Sequence, residues 1–233
     1  GNSIELLNVL TRQYDIPIGK VQLVRVPYYL NADFNEALSC LPWDGNKGGI
    51  LAINVRDTLN ISANIDVSGR GFRGGKDPFS NPGPFTYYCY ENEFFYPPNP
   101  DLASEKGEGI ALISSAKSFG KGALANGGGG GNSHNSGGGG GSNGATGGFG
   151  GYSYEGTPCN AIVPFDNRGF GGYQLVYNNA QNKIFLGGGG GAGQSNNPEA
   201  FESKGGNGAG IIIISADKVK TNTNKIAANG DNG

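Results

Sequence analysis

Gly49-Ile50-Leu51-Ala52-Ile53 and, 161 residues later, Gly210-Ile211-Ile212-Ile213-Ile214 open two copies of one pattern. Laid over each other without a gap, Gly49 to Gly69 and Gly210 to Gly230 each read as a buried strand of four to six residues, a polar corner and a second strand. That second strand, Ile65-Asp66-Val67 in one copy and Ile226-Ala227-Ala228 in the other, ends in Ser68-Gly69 or Asn229-Gly230. Short apolar runs rich in β-branched residues and bounded by turn formers predict strands. Such a unit buries its apolar face only against a neighbour, so two related copies predict rungs of one stack, adjacent in space although distant in sequence.

Between the copies lies a second material. Glycine supplies 45 of the 233 residues and gathers in runs at Gly127 to Gly131, Gly137 to Gly141 and Gly187 to Gly191, with shorter pieces at Gly147-Gly148, Gly150-Gly151, Gly171-Gly172 and Gly205-Gly206. A flexible linker is the ordinary reading of such tracts. Against it, Phe149, Tyr152, Tyr154, Phe170 and Tyr173 punctuate the runs and are expected to need burial. Turn formers also gather between runs of equal length, in Asn132-Ser133-His134-Asn135-Ser136 and Ser142-Asn143. An extended threefold glycine helix rises about 3.1 Å per residue and has no internal hydrogen bonds, so its amides must pair with neighbouring rods. Ordering the chain costs about 1–2 kcal/mol of backbone entropy per residue, and the lattice is therefore expected to be anchored by the β stack and by aromatic caps.

A third stretch is different again. Eight aromatic rings, Phe79, Phe85, Tyr87, Tyr88, Tyr90, Phe94, Phe95 and Tyr96, fall in the eighteen residues from Phe79 to Tyr96, among Pro78, Pro82 and Pro84 and ahead of Pro97, Pro98 and Pro100. That proline density forbids a long helix or a central strand. The candidate binding residues are Phe85, Tyr87, Tyr88, Tyr90, Phe94, Phe95 and Tyr96, because tyrosine offers a large contact face with a polar tip and proline holds a loop in shape before it binds. The competing reading is that these rings roof the glycine lattice.

The rest of the sequence mainly excludes. Seventeen basic and nineteen acidic residues give a formal charge of −2, no electrostatic footprint for nucleic acid or an anionic membrane. The longest apolar runs fall far short of the roughly 20 residues that cross a bilayer. Cys40, Cys89 and Cys159 have no metal-ligand spacing, and an odd count leaves at least one thiol free or paired with another chain; Cys89 with Cys159 is one pairing the three allow. Gly69-Arg70-Gly71-Phe72-Arg73-Gly74 matches a dinucleotide fingerprint, but Gly75-Lys76-Asp77-Pro78 follows it and breaks the helix that a fingerprint must open. The single histidine, His134, lies in a turn between glycine runs, which opposes a catalytic triad. Asp57 with Asp66 is the acidic pair inside a repeat, best read as a solvated strand edge, and Asp44-Gly45-Asn46 is the local candidate for calcium. No cofactor is expected. Lys20 to Val26 alternates loosely and predicts a strand, while Ile4 to Tyr14 fits a short helix or a strand.

Trp43-Asp44-Gly45, Gly48-Gly49-Ile50-Leu51-Ala52-Ile53 and Ile65-Asp66-Val67-Ser68-Gly69-Arg70-Gly71-Phe72-Arg73-Gly74-Gly75 resemble the glycine-rich β-helix modules of large bacterial surface and adhesin-like proteins of Bacteroidetes type. Gly187 to Gly193 and Gly208 to Ile214 extend the likeness, which covers roughly residues 40 to 233. The resemblance implies export to the cell surface, a structural role in attachment or gliding, other domains of a larger surface protein as neighbours, and no catalytic residues. Packed polyglycine segments also look like phage tail-tip adhesins and the glycine-rich ligand-binding regions of some animal receptor kinases. The expected fold is all-β, a β-helix-like or β-sandwich stack with polyglycine II-type segments. It forms one module over residues 1–233, with entry strands in 1–40, paired rungs in 41–75 and 205–233, an aromatic and proline-rich insert in 76–106, and a polyglycine-rich region in 107–204. The expected function is structural or adhesive, outside the cell, contacting a polysaccharide or protein. The alternatives are a carbohydrate-active enzyme on a β-helix and a phage-type or receptor-type ligand-binding domain.

Overall fold

The computed structural model describes residues 5, 7–9, 13–14, 19, 21–76, 91–153, 166–176, 183–195 and 203–233. The chain is all-β in class: its strands pair in parallel, and the one helical element among the described residues is a 3-10 turn at Ser115–Lys117. No described helix is long and apolar enough to cross a membrane.

The two repeat copies lie on each other, and a third layer joins them. Strand β3 (Ile50–Val55) runs between β1 (Tyr28–Tyr29) and β6 (Ile211–Ser215); β4 (Thr58–Ile61) runs between β2 (Ala32–Phe34) and β7 (Lys218–Thr221); β5 (Ile65–Asp66) pairs with β8 (Ile226–Ala227). A bridge from Leu38 to Ile65 extends the last sheet to the first tier. Ile50 opposes Ile211 and Ile65 opposes Ile226, the register of the sequence repeat. In the middle strand Leu59 opposes Val219, one residue out of that register. Strand side chains alternate with period two, so only this slip keeps Val219 over the inward-facing Leu59.

The strand expected over Lys20 to Val26 is not formed; residues 21–27 carry no ladder, and pairing begins at Tyr28. Pro27 has no N–H to give, and its carbonyl accepts from Asn54 N at 3.0 Å. Upstream, the Gln22 amide stands in for a backbone partner, its Nε2 donating to Gly48 O at 3.1 Å and its Oε1 accepting from Gly48 N at 2.8 Å. Of Ile4 to Tyr14, residues 4, 6 and 10–12 lie outside the described set, and the described residues 5, 7–9, 13 and 14 carry neither helix nor strand. Gly48 and Gly49, with φ of +102° and +78°, swing the chain into β3; a Cβ on Gly48 would lie 2.2 Å from Pro42 O.

Ala32, Ile53, Val55, Leu59, Ile61 and Ile65 are buried between the sheets, with Phe34, Leu38, Leu51, Ile212, Ile214 and Ala216 against them. Each large aliphatic side chain fully buried here contributes about 1.5–3 kcal/mol. This is the anchor for the glycine region.

The chain leaves β5 through Gly71 to Gly75 and returns through Ser203 to Ala209 into β6, and these two segments lie side by side: Gly205 N donates to Gly75 O at 2.9 Å and Gly208 N to Phe72 O at 2.8 Å. The long gap in the repeat is thus one excursion whose first and last rods pair. The supposed dinucleotide fingerprint is the first of these rods; no helix follows it among the described residues.

Within the excursion, the segment 187–194 is surrounded by other extended segments. Its amides point in three directions in turn. Gly188, Gly191 and Gln194 donate to Ser142, Gly139 and Ser136; Gly189 and Ala192 to Glu108 and Glu105; Gly187, Gly190 and Gly193 to Ala209, Gly206 and Ser203. Every third residue meets the same neighbour, as a threefold screw requires. Its carbonyls accept from Gly128 and Gly131 on one side and from Phe72 and Gly75 on another. At many positions no Cβ fits between these rods: one on Gly188 would lie 1.8 Å from Asn126 O, and one on Gly129 1.9 Å from Lys121 O, whereas Ala192 is accommodated fully buried.

Polar side chains close the rod ends. Buried Asn126 donates to Leu186 O at 3.1 Å and Ser142 O at 3.3 Å and accepts from Ile110 N at 2.8 Å. Lys106 sends its ammonium to the carbonyls of Phe94 and Gly122, and burial pushes its pKa down to about 8. Where the lattice meets the β tiers, the Trp43 and Phe72 rings meet edge to face, 5.8 Å apart. The Glu108 carboxylate there accepts from the Trp43 indole at 3.2 Å and from the Arg73 guanidinium, which also ion-pairs with it. Burial opposes ionisation of Glu108, but the hydrogen bonds from Arg73 and Trp43 outweigh it and hold the carboxyl below its ordinary range.

Candidate functional site

Where the Cβ direction of a rod residue points at a neighbouring backbone no side chain fits, and a large ring is left the outer face of a peripheral rod. This corrects the expectation of burial for Phe149, Tyr152 and Tyr173; Phe170 is partly buried, and Tyr154 lies outside the described residues. Phe149 is 58% exposed, Tyr152 73% and Tyr173 61%. Phe149 and Tyr152 are three residues apart, as are Phe170 and Tyr173, and on a threefold rod that spacing puts both members of a pair on one side.

The edge rod 147–152 shows the sorting. A Cβ on Gly150 would lie 2.0 Å from Gly137 O, facing the lattice; Gly148 and Gly151 meet nothing within 4 Å; Phe149 and Tyr152 take the remaining side. Phe149 meets Phe170 edge to face at 5.2 Å, and Phe170 meets Phe94 in the same way at 5.5 Å. Phe95, adjacent in sequence, is half exposed, as is Phe94. The result is a row of rings drawn from three distant parts of the chain: Phe94, Phe170, and Phe149 with Tyr152.

Cations brace the row. The Arg168 guanidinium sits between two rings, 5.0 Å from the Phe149 centroid and 4.0 Å from that of Tyr152, and is held by a two-pronged contact with Asp166, at 2.7 Å through Nε and 2.6 Å through Nη2. The hydrogen bond from Arg168 keeps the Asp166 carboxyl below its usual range and raises the guanidinium further. Lys121 is buried beneath Phe94 and Phe170, its Nζ 5.1 Å and 5.7 Å from their centroids, and donates to Asp166 O at 2.6 Å and to the Asn92 side chain. Burial lowers its pKa. Lys117 lies 4.7 Å over Phe95. Cation–ring contacts of this kind contribute about 0.5–2 kcal/mol each and fix ring orientation.

Of the residues singled out in the sequence, Phe94 lies in the row, and Phe95 is half exposed beneath Lys117. Tyr96 does not: it is 8% exposed and packs with Ala103 and Phe119, its hydroxyl donating to Glu91 at 2.7 Å and accepting from Glu93 N at 3.1 Å. Burial raises its pKa, with the Glu91 contact adding to the effect. Phe85, Tyr87, Tyr88 and Tyr90 lie outside the described residues, as do Cys89, Cys159 and Tyr154. Cys40 is a free thiol. Asp44 uses its carboxylate locally, Oδ1 accepting from Asn46 N at 2.8 Å and Lys47 N at 2.9 Å. Among the described residues, no group of three or more histidine, cysteine or acidic side chains could hold a metal ion. Sequence reasoning missed Phe149, Phe170 and Tyr152 as surface contacts; their spacing of three, read against a threefold rod, is the signal that finds them.

Comparison with protein-family models, with curated proteins and with solved structures gives no match for this chain.

Proposed function

We propose that this chain is a non-catalytic adhesive module of a secreted or cell-surface protein, a short β-helix-type stack carrying a polyglycine II-type lattice, and that the aromatic row is its contact surface for polysaccharide. The observation that carries the reading is the row itself: Phe94, Phe170, Phe149 and Tyr152 share one strip on a lattice that leaves no room for them inside. Rings half open to water cost stability and solubility unless something covers them. The axial C–H faces of a pyranose are apolar and stack on aromatic rings, while the rim of carboxylate, guanidinium and tyrosine hydroxyl offers partners for sugar hydroxyls. Ring contacts and cations hold the row before binding, so little side-chain entropy is lost on contact.

The test is retention of the parent chain on a panel of insoluble and immobilised polysaccharides, compared with the combined variant Phe94→Ala, Phe149→Ala, Tyr152→Ala. A contact surface requires at least about tenfold weaker binding to the retained polysaccharide, at about 0.5–1.5 kcal/mol per ring, with the melting curve little changed. A parent chain retained by no polysaccharide, or a variant that binds as well as the parent, overturns the proposal.

A further inference from the structure

The β tiers end abruptly. Strands β6, β7 and β8 each close one side of their sheets, and among the described residues their outer edges pair with nothing. Val219 stacks on Leu59 and Ile226 on Ile65, so both occupy inward positions of the third tier. Leu59 and Ile65 are 0% exposed, whereas Val219 and Ile226 are each 48% exposed, with no fourth tier over them among the described residues. At the opposite end β1 and β2 are also edge strands. Beside them an apolar depression of about 470 Å³ opens, lined by Leu23, Val24, Tyr29, Phe34, Leu38 and Leu51 among others. The inner columns keep their chemistry from end to end: Ala32, Leu59 and Val219 in one, Leu38, Ile65 and Ile226 in another.

The outward columns do not end alike. Asp33, Asn60 and Lys220 form a single column, with the Asp33 carboxylate accepting from the Asn60 amide. One end of the stack therefore shows an anion and the other a cation at the same lateral position. An incoming edge must be parallel and must present a small apolar side chain over Val219 and a carboxylate over Lys220. The first tier of this same chain meets each condition, with Ala32 and Asp33.

From this we infer that a second copy of the chain stacks head to tail, its β1 and β2 pairing on β6 and β7, Ala32 over Val219, Leu38 over Ile226 and Asp33 beside Lys220. This interface is separate from the aromatic row and does not depend on its ligand. A head-to-tail contact with no closing rotation repeats, so the product is an open linear assembly.

Sedimentation of the purified chain over a concentration series is the direct test, with stepwise growth to linear oligomers expected. Val219→Asp puts a charge in the inner column at a position already half exposed, so the fold survives and association is lost. Asp33→Lys, at the other end, sets two cations together and weakens association by about tenfold or more. Each variant retains one intact end, and an equimolar mixture of the two should give a 1:1 heterodimer that stops growing. Melting curves and circular dichroism identify any variant that fails to fold, and Lys220→Asp mixed with Asp33→Lys then restores opposite charges at every junction, so that mixture should regain linear growth that neither variant shows alone. A parent chain that sediments as a monomer throughout, a Val219→Asp chain that assembles like the parent, or mixtures that do not pair would each overturn the inference.

Discussion

Alanine at Gly189 should be among the most damaging single-methyl additions this protein can receive. The added Cβ would lie 2.0 Å from Arg73 O, where non-bonded heavy atoms settle at about 3.5 Å, so the rods carrying residues 189 and 73 must part by about 1.5 Å. That movement breaks contacts on both flanks: Gly189 N to Glu108 O at 2.9 Å, Gly128 N to Gly189 O at 2.9 Å, and Glu108 N to Arg73 O at 2.9 Å. Each bond is worth about 1 kcal/mol net, and each buried group left unpaired costs about 1–3 kcal/mol, so the loss comes to about 3–6 kcal/mol. Restricting the unfolded chain returns only about 0.4–1 kcal/mol. For a domain of this size the melting temperature should fall by about 10–20 °C. The control is Gly148→Ala, where nothing lies within 4 Å of the new methyl; stability there should hold or rise by up to about 1 kcal/mol. Urea denaturation of both variants, with hydrogen exchange at residues 127–141 and 187–194, reads the effect. The reasoning is refuted if Gly189→Ala stays within about 0.5 kcal/mol of the parent, or if the two alanines cost the same.

Two further outcomes follow from the buried charges. With the Lys106 pKa pushed down to about 8 by burial, the folded chain releases this proton before the unfolded chain does, so stability should rise between about pH 8 and pH 10, by about 2 kcal/mol, and Lys106→Met should flatten that rise in pH-dependent urea titrations. Glu108 has its carboxyl held below the ordinary range, so its contribution is present above about pH 4 and is lost as the pH falls through the folded value; Glu108→Gln should cost about 1–3 kcal/mol at neutral pH and shrink the acid limb of the stability profile.

Much of the architecture was legible in the residues. The match of Gly49 to Gly69 with Gly210 to Gly230 is a register of parallel strands, and it could be read because stacked tiers place like residues in one column. The glycine runs announced rods for an equally local reason, since close backbone approach forbids Cβ atoms wherever it occurs. Other features had no local cause. The first tier keeps aliphatic residues in the inner columns only at Ala32 and Leu38, and elsewhere sets aromatic rings against aliphatic partners, Tyr29 on Val55 and Phe34 on Ile61, so the sequence match does not extend to it. The ungapped match also concealed a slip: the third tier is one residue shorter at the corner before β7 and regains it before β8, so Leu59 meets Val219 and not Lys220. Burial of one strand face, a tertiary demand, made that choice. Segments such as Ser104 to Glu108 pack as rods although most of their residues are not glycine, since their side chains need only avoid the few directions in which neighbours lie. The aromatic row was legible only in part, through the spacing of three that sets Phe149 and Tyr152 on one side of a threefold rod. Sequence determined that Phe94, Phe149, Tyr152 and Phe170 could not enter a lattice without Cβ space, and only the packing of distant rods decided that they would emerge side by side.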